Sequence, residues 1–328
     1  MVTESGKSLQ LLSRVLTSWT TWVDEGLEQQ LQTLSSLTRL TCLQFRNTNS
    51  AEHLTSVEYL SMLLALDVCN YYNLEHQAIS FVGLQELTLS HGQDQSCDLT
   101  YLTRLTRLKL MDPGDDFCSL TLPRGDNVSL RCLKVWGGGD DIDEETSLQQ
   151  LLVSNLSYAC QLTKLDMQSF APKINSHDWP KSLCHLQFVT MRSVQLPLPS
   201  HLADWAELQQ LDLSMSKIGP LLTWFSGMTQ LTMLTLDHTD ITNFPQSIMN
   251  LSQLQDLSMA YIEPPMVLRG EILGFSKWPG LKLLDLSVET YSWSGYDLDS
   301  KLNLLELQAQ LSLSNSGCKL KIGTGSVI

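Results

Sequence analysis

The chain has 328 residues, 43% of them hydrophobic and only 17% charged, which is ample for a buried core and too apolar for an intrinsically disordered polypeptide. Acids outnumber bases by 35 to 21, a formal net charge of −14. That balance excludes the broad cationic footprint needed to neutralise nucleic-acid phosphates and tilts the choice of partner weakly toward basic surfaces.

From the N-terminus, Leu9, Leu12, Leu16, Trp19 and Val23 have helical spacing, whereas SWTTWV is strand-like in composition. Residues 1–39 are therefore read either as a capping helix or as a degenerate first repeat. Each would cover the end of an apolar column. The segment has no compact apolar stretch of the secretory type, and no apolar run anywhere approaches the ~18 residues of a membrane span. A cytoplasmic location without membrane contact is expected. The eight cysteines form no CxxC pair, which suits small apolar packing in a reducing compartment.

From Leu40 onward one pattern recurs: apolar, two variable, apolar, one variable, apolar. It reads as Leu40-Leu43-Phe45, Leu63-Leu66-Val68, Leu84-Leu87-Leu89, Leu105-Leu108-Leu110 and Leu130-Leu133-Val135. It continues as Leu162-Leu165-Met167, Leu183-Leu186-Phe188, Leu208-Leu211-Leu213, Leu231-Leu234-Leu236, Leu254-Leu257-Met259 and Leu281-Leu284-Leu286. Successive copies lie 21 to 32 residues apart. The last four residues of each copy alternate, so the apolar side chains of a short strand point one way and their neighbours the other. One such strand cannot bury its apolar face alone; stacked copies form a parallel sheet over a continuous core. After the strand at Leu231, Ile241, Phe244, Ile248 and Leu251 recur every three or four positions, which predicts a helical or 3₁₀ return path, with Pro245 at its start.

These eleven matched units resemble the leucine-rich-repeat superfamily, and those from about Leu208 look like its plant-type or Ras-group-like class. The resemblance implies an α/β leucine-rich-repeat solenoid, a curved horseshoe with a concave parallel sheet and a helical or irregular convex side. It also implies binding of other proteins on the concave face. The expected organisation is an N-terminal cap or degenerate repeat over 1–39, the solenoid over 40–297 and a C-terminal cap over 298–328. The family usually places Asn, or Cys or Thr, three positions after the third apolar residue. Here only Thr48, Ser216 and Thr239 are obvious polar substitutes, so the repeats are irregular.

The longest unit carries GGGDDIDEETSLQQLLVSNLSYAC. A helix is expected there, capped near Thr146, with Leu148, Leu151, Leu152, Asn155 and Ala159 on one face. Its acids, Asp140, Asp141, Asp143, Glu144 and Glu145, lack the spacing of a calcium loop and read as a solvated loop, as do Asp112, Asp115 and Asp116. Further on, LDSKLNLLELQAQLSL (298–313) predicts a helix, and the alternation of Cys318-Lys319-Leu320-Lys321-Ile322 predicts a closing strand.

No phosphate-binding loop with its Lys, HExxH or GxSxG is present, and no histidine falls in a ligand pair. The chain is expected not to be an enzyme and to need no cofactor or metal. Alternation places the variable strand positions on the concave face. There Arg107, Lys109, Lys134 and Lys164 fall on neighbouring strands, with Met111 and Trp136 beside them. Cations next to a large aromatic are typical anchors of protein interfaces. From Asp212 onward the same columns hold Asp212, Asp237, Asp256 and Asp285. The expected role is a non-catalytic scaffold binding a protein partner on the concave face. The alternative is the recognition arm of a larger receptor or ubiquitin-ligase adaptor.

Overall fold

A computed structural model describes residues 17–22, 39–46, 62–69, 81, 83–91, 96–113, 117, 119–137, 150–169, 171–172, 180–193, 204–218, 224–241, 244, 246–262, 278, 280–287, 306, 309, 317–323 and 326–327. It comprises two compact units, Met1–Leu162 and Thr163–Ile328, and each is a stack of leucine-rich repeats on a parallel sheet.

The first unit contributes β1 (Ser18–Trp22), β2 (Cys42–Arg46), β3 (Ala65–Cys69), β4 (Glu86–Ser90), β5 (Ser96–Asp98), β6 (Arg107–Met111), β7 (Ser119–Thr121), β8 (Cys132–Trp136) and β9 (Gln150–Ser154). Its main ladder runs β1-β2-β3-β4-β6-β8. The register aligns the middle apolar residues, Leu43, Leu66, Leu87, Leu108 and Leu133, across the strands. The third apolar residues, Phe45, Val68, Leu89, Leu110 and Val135, form a second aligned column. Leu43, Leu108 and Leu133 are fully buried, so the pattern in the sequence is the core itself. SWTTW forms a strand in parallel register with β2, the strand-like alternative at the N-terminus.

Where it is described, the return side of this unit holds a second sheet and one 3₁₀ turn, Leu156–Tyr158. A second parallel ladder aligns Cys97 of β5, Leu120 of β7 and Val153 of β9, all buried. The helix expected around Thr146 is thereby corrected: Gln150–Ser154 is a strand. Val153 fills the column begun by Cys97 and Leu120, and that tertiary demand outweighs helical spacing. The acids at 140–145 lie outside the described residues, as do Asp115 and Asp116.

The second unit contributes β10 (Lys164–Gln168), β11 (Ala171–Pro172), β12 (Phe188–Arg192), β13 (Gln210–Asp212), β14 (Met233–Thr235), β15 (Asp256–Ser258), β16 (Leu283–Asp285), β17 (Lys319–Gly323) and β18 (Ser326–Val327). Leu165, Val189, Leu211, Leu234, Leu257, Leu284 and Leu320 stand in one column. This corrects one repeat. The copy read as Leu183-Leu186-Phe188 is in fact Leu186-Val189-Met191, three residues later. Val189 and Met191 are each 1% exposed, whereas Phe188 is only half-buried. Leu183 satisfied the spacing rule equally well, but only the later frame matches the register of both flanking strands. The open-face residues of this repeat are therefore Thr190 and Arg192, not Gln187 and Val189.

Return segments here include 3₁₀ turns at Trp224–Gly227 and Gln246–Asn250, as the spacing of Ile248 and Leu251 predicts. Pro245 lies outside the described residues. Each repeat then enters its strand through an i→i−3 turn: Leu208 N–H donates to Trp205 O at 3.0 Å, Leu231 to Met228 at 3.1 Å and Leu254 to Leu251 at 3.1 Å. Trp205, Phe225 and Trp278 are at most 2% exposed and belong to the buried core. β17 closes the ladder in parallel with β16, and β18 turns back antiparallel. Of the helix expected over 298–313, only Glu306 and Ala309, both helical, are described.

A backbone device unannounced by the sequence links consecutive repeats. Two residues after the third apolar position the chain turns left-handed, at His91, Asp112, Ser169, Ser193, Met215, His238 and Tyr261, with φ between 51° and 61°. None is glycine, and each such residue costs about 1–2 kcal/mol. The turn aims its N–H at the next repeat. Met215 N–H reaches Asp237 O at 2.8 Å, His238 reaches Ala260 at 2.9 Å and Tyr261 reaches Ser287 at 2.7 Å. At the adjacent position, Ser216 donates to Met191 O at 2.8 Å and Thr239 to Leu236 O at 2.7 Å. Both hydroxyls are buried and serve the turn as the repeat pattern predicts; Thr48 lies outside the described residues.

Two substitutions test this packing. Leu234→Ala is expected to cost about 2–5 kcal/mol in denaturant unfolding, and Leu234→Asp more, because the buried charge has no partner. The corrected register predicts that Val189→Asp sharply lowers the thermal midpoint while Phe188→Ser shifts it little. The reverse ranking would restore the earlier frame.

Candidate functional site

The sheet positions between the buried columns face away from the core, and in the first unit they gather the expected cations. On β4, β6 and β8, Glu86, Arg107 and Cys132 share one row, Thr88, Lys109 and Lys134 the next, and Ser90, Met111 and Trp136 the third. Five of the six candidate residues, Arg107, Lys109, Met111, Lys134 and Trp136, thus occupy two adjacent strands. Arg107 and Lys109 are exposed; Met111, Lys134 and Trp136 are half-buried. Lys164, also exposed, opens β10 in the second unit.

The contacts within the cluster are weak. Arg107 Nη1 lies 3.4 Å from Glu86 Oε1, with both side chains more than half exposed, a geometry worth about 0–1 kcal/mol. The Lys134 ammonium stands 5.8 Å from the centre of the Trp136 ring, within cation–π range. Lys109 makes no ion pair among the described residues. Lys109 and Lys134 face each other in register on neighbouring strands, and like charges so placed destabilise a sheet. At the strand ends, His91 Nδ1 and Asp112 Oδ2 are 2.9 Å apart.

The open face of the second unit has the opposite character. Asp166, Thr190, Asp212, Thr235, Ser258, Asp285 and Lys321 share one row. Asp212 Oδ1 accepts from Ser214 N at 3.0 Å and from its hydroxyl at 2.6 Å, and Asp285 repeats this with Ser287. Their second oxygens take cations: Arg192 Nη2 lies 2.7 Å from Asp212 Oδ2 and Lys321 Nζ 3.0 Å from Asp285 Oδ2. The bond from Asp285 and its charge hold the Lys321 ammonium above its ordinary pKa. Sequence reading missed Arg192, because the shifted frame placed it outside the face. Asp237 Oδ1 accepts from Ser258 Oγ at 2.6 Å and Ala260 N at 2.8 Å. Burial pushes the Asp237 carboxyl above its usual value, the Ser258 and Ala260 bonds oppose this, and the charges of Asp285 and Asp212 add to the rise. Among the described residues no group of three or more His, Cys, Asp or Glu is placed to hold a metal ion, and no described helix is long and apolar enough to cross a membrane.

No family model matches the chain, and no curated protein matches it either. Solved structures of similar fold do. An internalin from Listeria monocytogenes matches with a TM-score of 0.53 at 13% identity, over 97% of this chain and 89% of that one. A leucine-rich-repeat protein of Leptospira interrogans matches with a TM-score of 0.54 at 15% identity, over 95% and 91%. The leucine-rich-repeat ectodomain of a plant membrane receptor kinase from Arabidopsis thaliana, solved in complex with Casparian strip integrity factor 2, matches with a TM-score of 0.53 at 16% identity. That match covers 93% of this chain and 37% of the ectodomain chain. At these identities the likeness establishes the leucine-rich-repeat fold. It does not distinguish a plant-type or Ras-group class.

The raised pKa of Asp237 has a consequence for stability. A carboxyl whose folded pKa exceeds its unfolded value favours the folded state when protonated, and that contribution is lost as pH rises through the folded pKa. Asp237→Asn keeps an oxygen for Ser258 and Ala260 and removes the charge. It is expected to raise the thermal midpoint at pH 7, with the difference from wild type vanishing as pH falls below the ordinary aspartate range.

Proposed function

We propose that the chain is a non-catalytic protein-interaction scaffold whose binding surface is the open face of the repeat sheet, with Arg107, Lys109, Met111, Lys134 and Trp136 as the contact cluster. The observation that supports this most is the in-register pairing of Lys109 with Lys134 beside Trp136. The pairing concentrates positive charge beside an aromatic ring, and Lys109 is exposed. An acidic, partly apolar protein surface would pair with the Lys109 ammonium, be attracted by the charge of Lys134 and cover the indole. Lys164 occupies the same repeat position as Arg107 at the start of β10 in the second unit and is proposed as a separate cationic contact. The solved complex of an Arabidopsis leucine-rich-repeat ectodomain with Casparian strip integrity factor 2 is consistent with a fold of this kind serving as a binding module. A cytoplasmic location is part of the proposal.

The test is affinity capture from lysate with the intact chain, followed by binding kinetics on each captured protein. Trp136→Ala is expected to raise the off-rate, since buried anchors hold complexes together. Lys109→Glu with Lys134→Glu is expected to lower the on-rate and to flatten its salt dependence. Tyr101→Ser and Tyr158→Ser alter exposed side chains, 56% and 43% accessible, on the return side, and are expected to leave binding unchanged. Loss of binding with the tyrosine pair and retention with the face variants would overturn the assignment.

A further inference from the structure

The left-handed turns of the second unit do more than join repeats. Met215, His238 and Tyr261 occupy the same turn position in three consecutive repeats, and each N–H is bonded into the repeat that follows. Their side chains therefore form a strip along the edge of the open face. Met215 is 57% exposed, His238 is exposed and Tyr261 half-buried. The His238 and Tyr261 rings stack, with centroids 4.9 Å apart and planes inclined by 19°. An exposed methionine next to a stacked aromatic pair is a surface that burial against a partner stabilises and that water does not.

Asp237 precedes this strip. Among the carboxylates of this face, Asp212 and Asp285, on either side of Asp237 in the repeat order, each hold a cation, Arg192 and Lys321 respectively. The middle one holds none among the described residues. Both of its hydrogen bonds fall on Oδ1, which leaves Oδ2 as an acceptor without a donor there. Burial disfavours its ionised form, the Ser258 and Ala260 bonds oppose this, and the charges of Asp285 and Asp212 add to the effect. Lys321, whose charge also acts on Asp237, is bonded to Asp285.

We propose that Asp237, His238, Tyr261 and Met215 form a docking site for an extended, arginine-bearing segment of a protein partner. The guanidinium pairs with Asp237 Oδ2 and lies over the Tyr261–His238 stack; an apolar side chain three residues away covers Met215. Arginine is specified over lysine because its planar head both stacks on aromatic faces and bonds a carboxylate. The spacing follows from the ladder. Neighbouring strands are about 4.8 Å apart, so Met215 and Tyr261 are separated by about 9.6 Å, and a segment in the extended polyproline-II form, rising about 3.1 Å per residue with three residues per turn, spans that distance in three residues and returns its side chain to the same side. This site lies wholly in the second unit and binds positive charge, so it is independent of the cationic cluster on β6 and β8.

The probe is the blocked heptapeptide acetyl-Leu-Ala-Ala-Arg-Ala-Ala-Leu-amide, titrated into the full chain labelled with ¹³C at the methionine methyls. The expected result is a saturable shift of the Met215 methyl. Affinity should fall at least about tenfold, the loss of one charge-assisted bond, either in Asp237→Asn or when citrulline replaces the peptide's arginine. Tyr261→Leu should weaken binding several-fold, and Lys109→Glu with Lys134→Glu should leave it unchanged. The citrulline arm uses the wild-type chain, so it holds even if a variant misfolds. No Met215 shift at millimolar peptide, equal affinity for the citrulline peptide, or sensitivity to the Lys109 and Lys134 changes overturns the proposal. Equal affinity for a lysine peptide overturns the stacked geometry.

Discussion

Everything in each unit depends on one constraint: a single repeat cannot satisfy its own backbone or bury its own leucines. A strand of three to five residues leaves its N–H and C=O groups without partners in its own repeat, and its apolar face is open above and below. The next repeat supplies both. Gln209 shows how closely this is arranged, its carbonyl accepting Thr232 N at 2.8 Å, Met233 N at 3.1 Å and the Thr232 hydroxyl at 3.0 Å. The same triple acceptance recurs at Thr17 with Thr41 and Cys42, and at Gln85 with Thr106 and Arg107. Leucine columns fix the spacing of repeats, and these carbonyls fix their register.

That constraint also determines which side chains are available for recognition. With the apolar residues of every strand committed inward, the alternate residues face outward whatever their chemistry, and the ladder brings residues more than twenty apart in sequence into one row. Lys109 and Lys134 are neighbours for this reason alone, and so are Thr235 and Ser258. The two faces that result are chemically opposed, one cationic with an indole, the other a row of carboxylates edged by a methionine and two stacked rings. The fold tolerates either, because neither contributes to the column behind it.

The leucine pattern was legible because its period is the geometry of the core. Where it was ambiguous, the reading slipped: Leu183, Leu186 and Phe188 satisfy the spacing as well as Leu186, Val189 and Met191 do, and only the neighbouring strands decide between them. The slip carried Arg192 off the face and hid the ion pair with Asp212. Gln150–Ser154 misled differently, since LQQLLVSNL has helical spacing yet its Val153 is claimed by the column of Cys97 and Leu120. The left-handed turns were invisible. Their usual signal is glycine or asparagine, and here the position is filled by His91, Met215 or Tyr261, held by a bond to the next repeat that no local pattern records. Alternation alone sets Lys109, Lys134 and Trp136 at outward positions of the neighbouring strands β6 and β8.

If each repeat is stable only through its neighbours, stability must be shared along the ladder. Hydrogen exchange on the second unit tests this most directly. In the wild-type chain the amides of Gln210–Asp212, Met233–Thr235 and Asp256–Ser258 should exchange with closely similar protection. Leu234→Ala should lower protection in all three strands together. A loss confined to Met233–Thr235, with the flanking strands unchanged, would contradict the account.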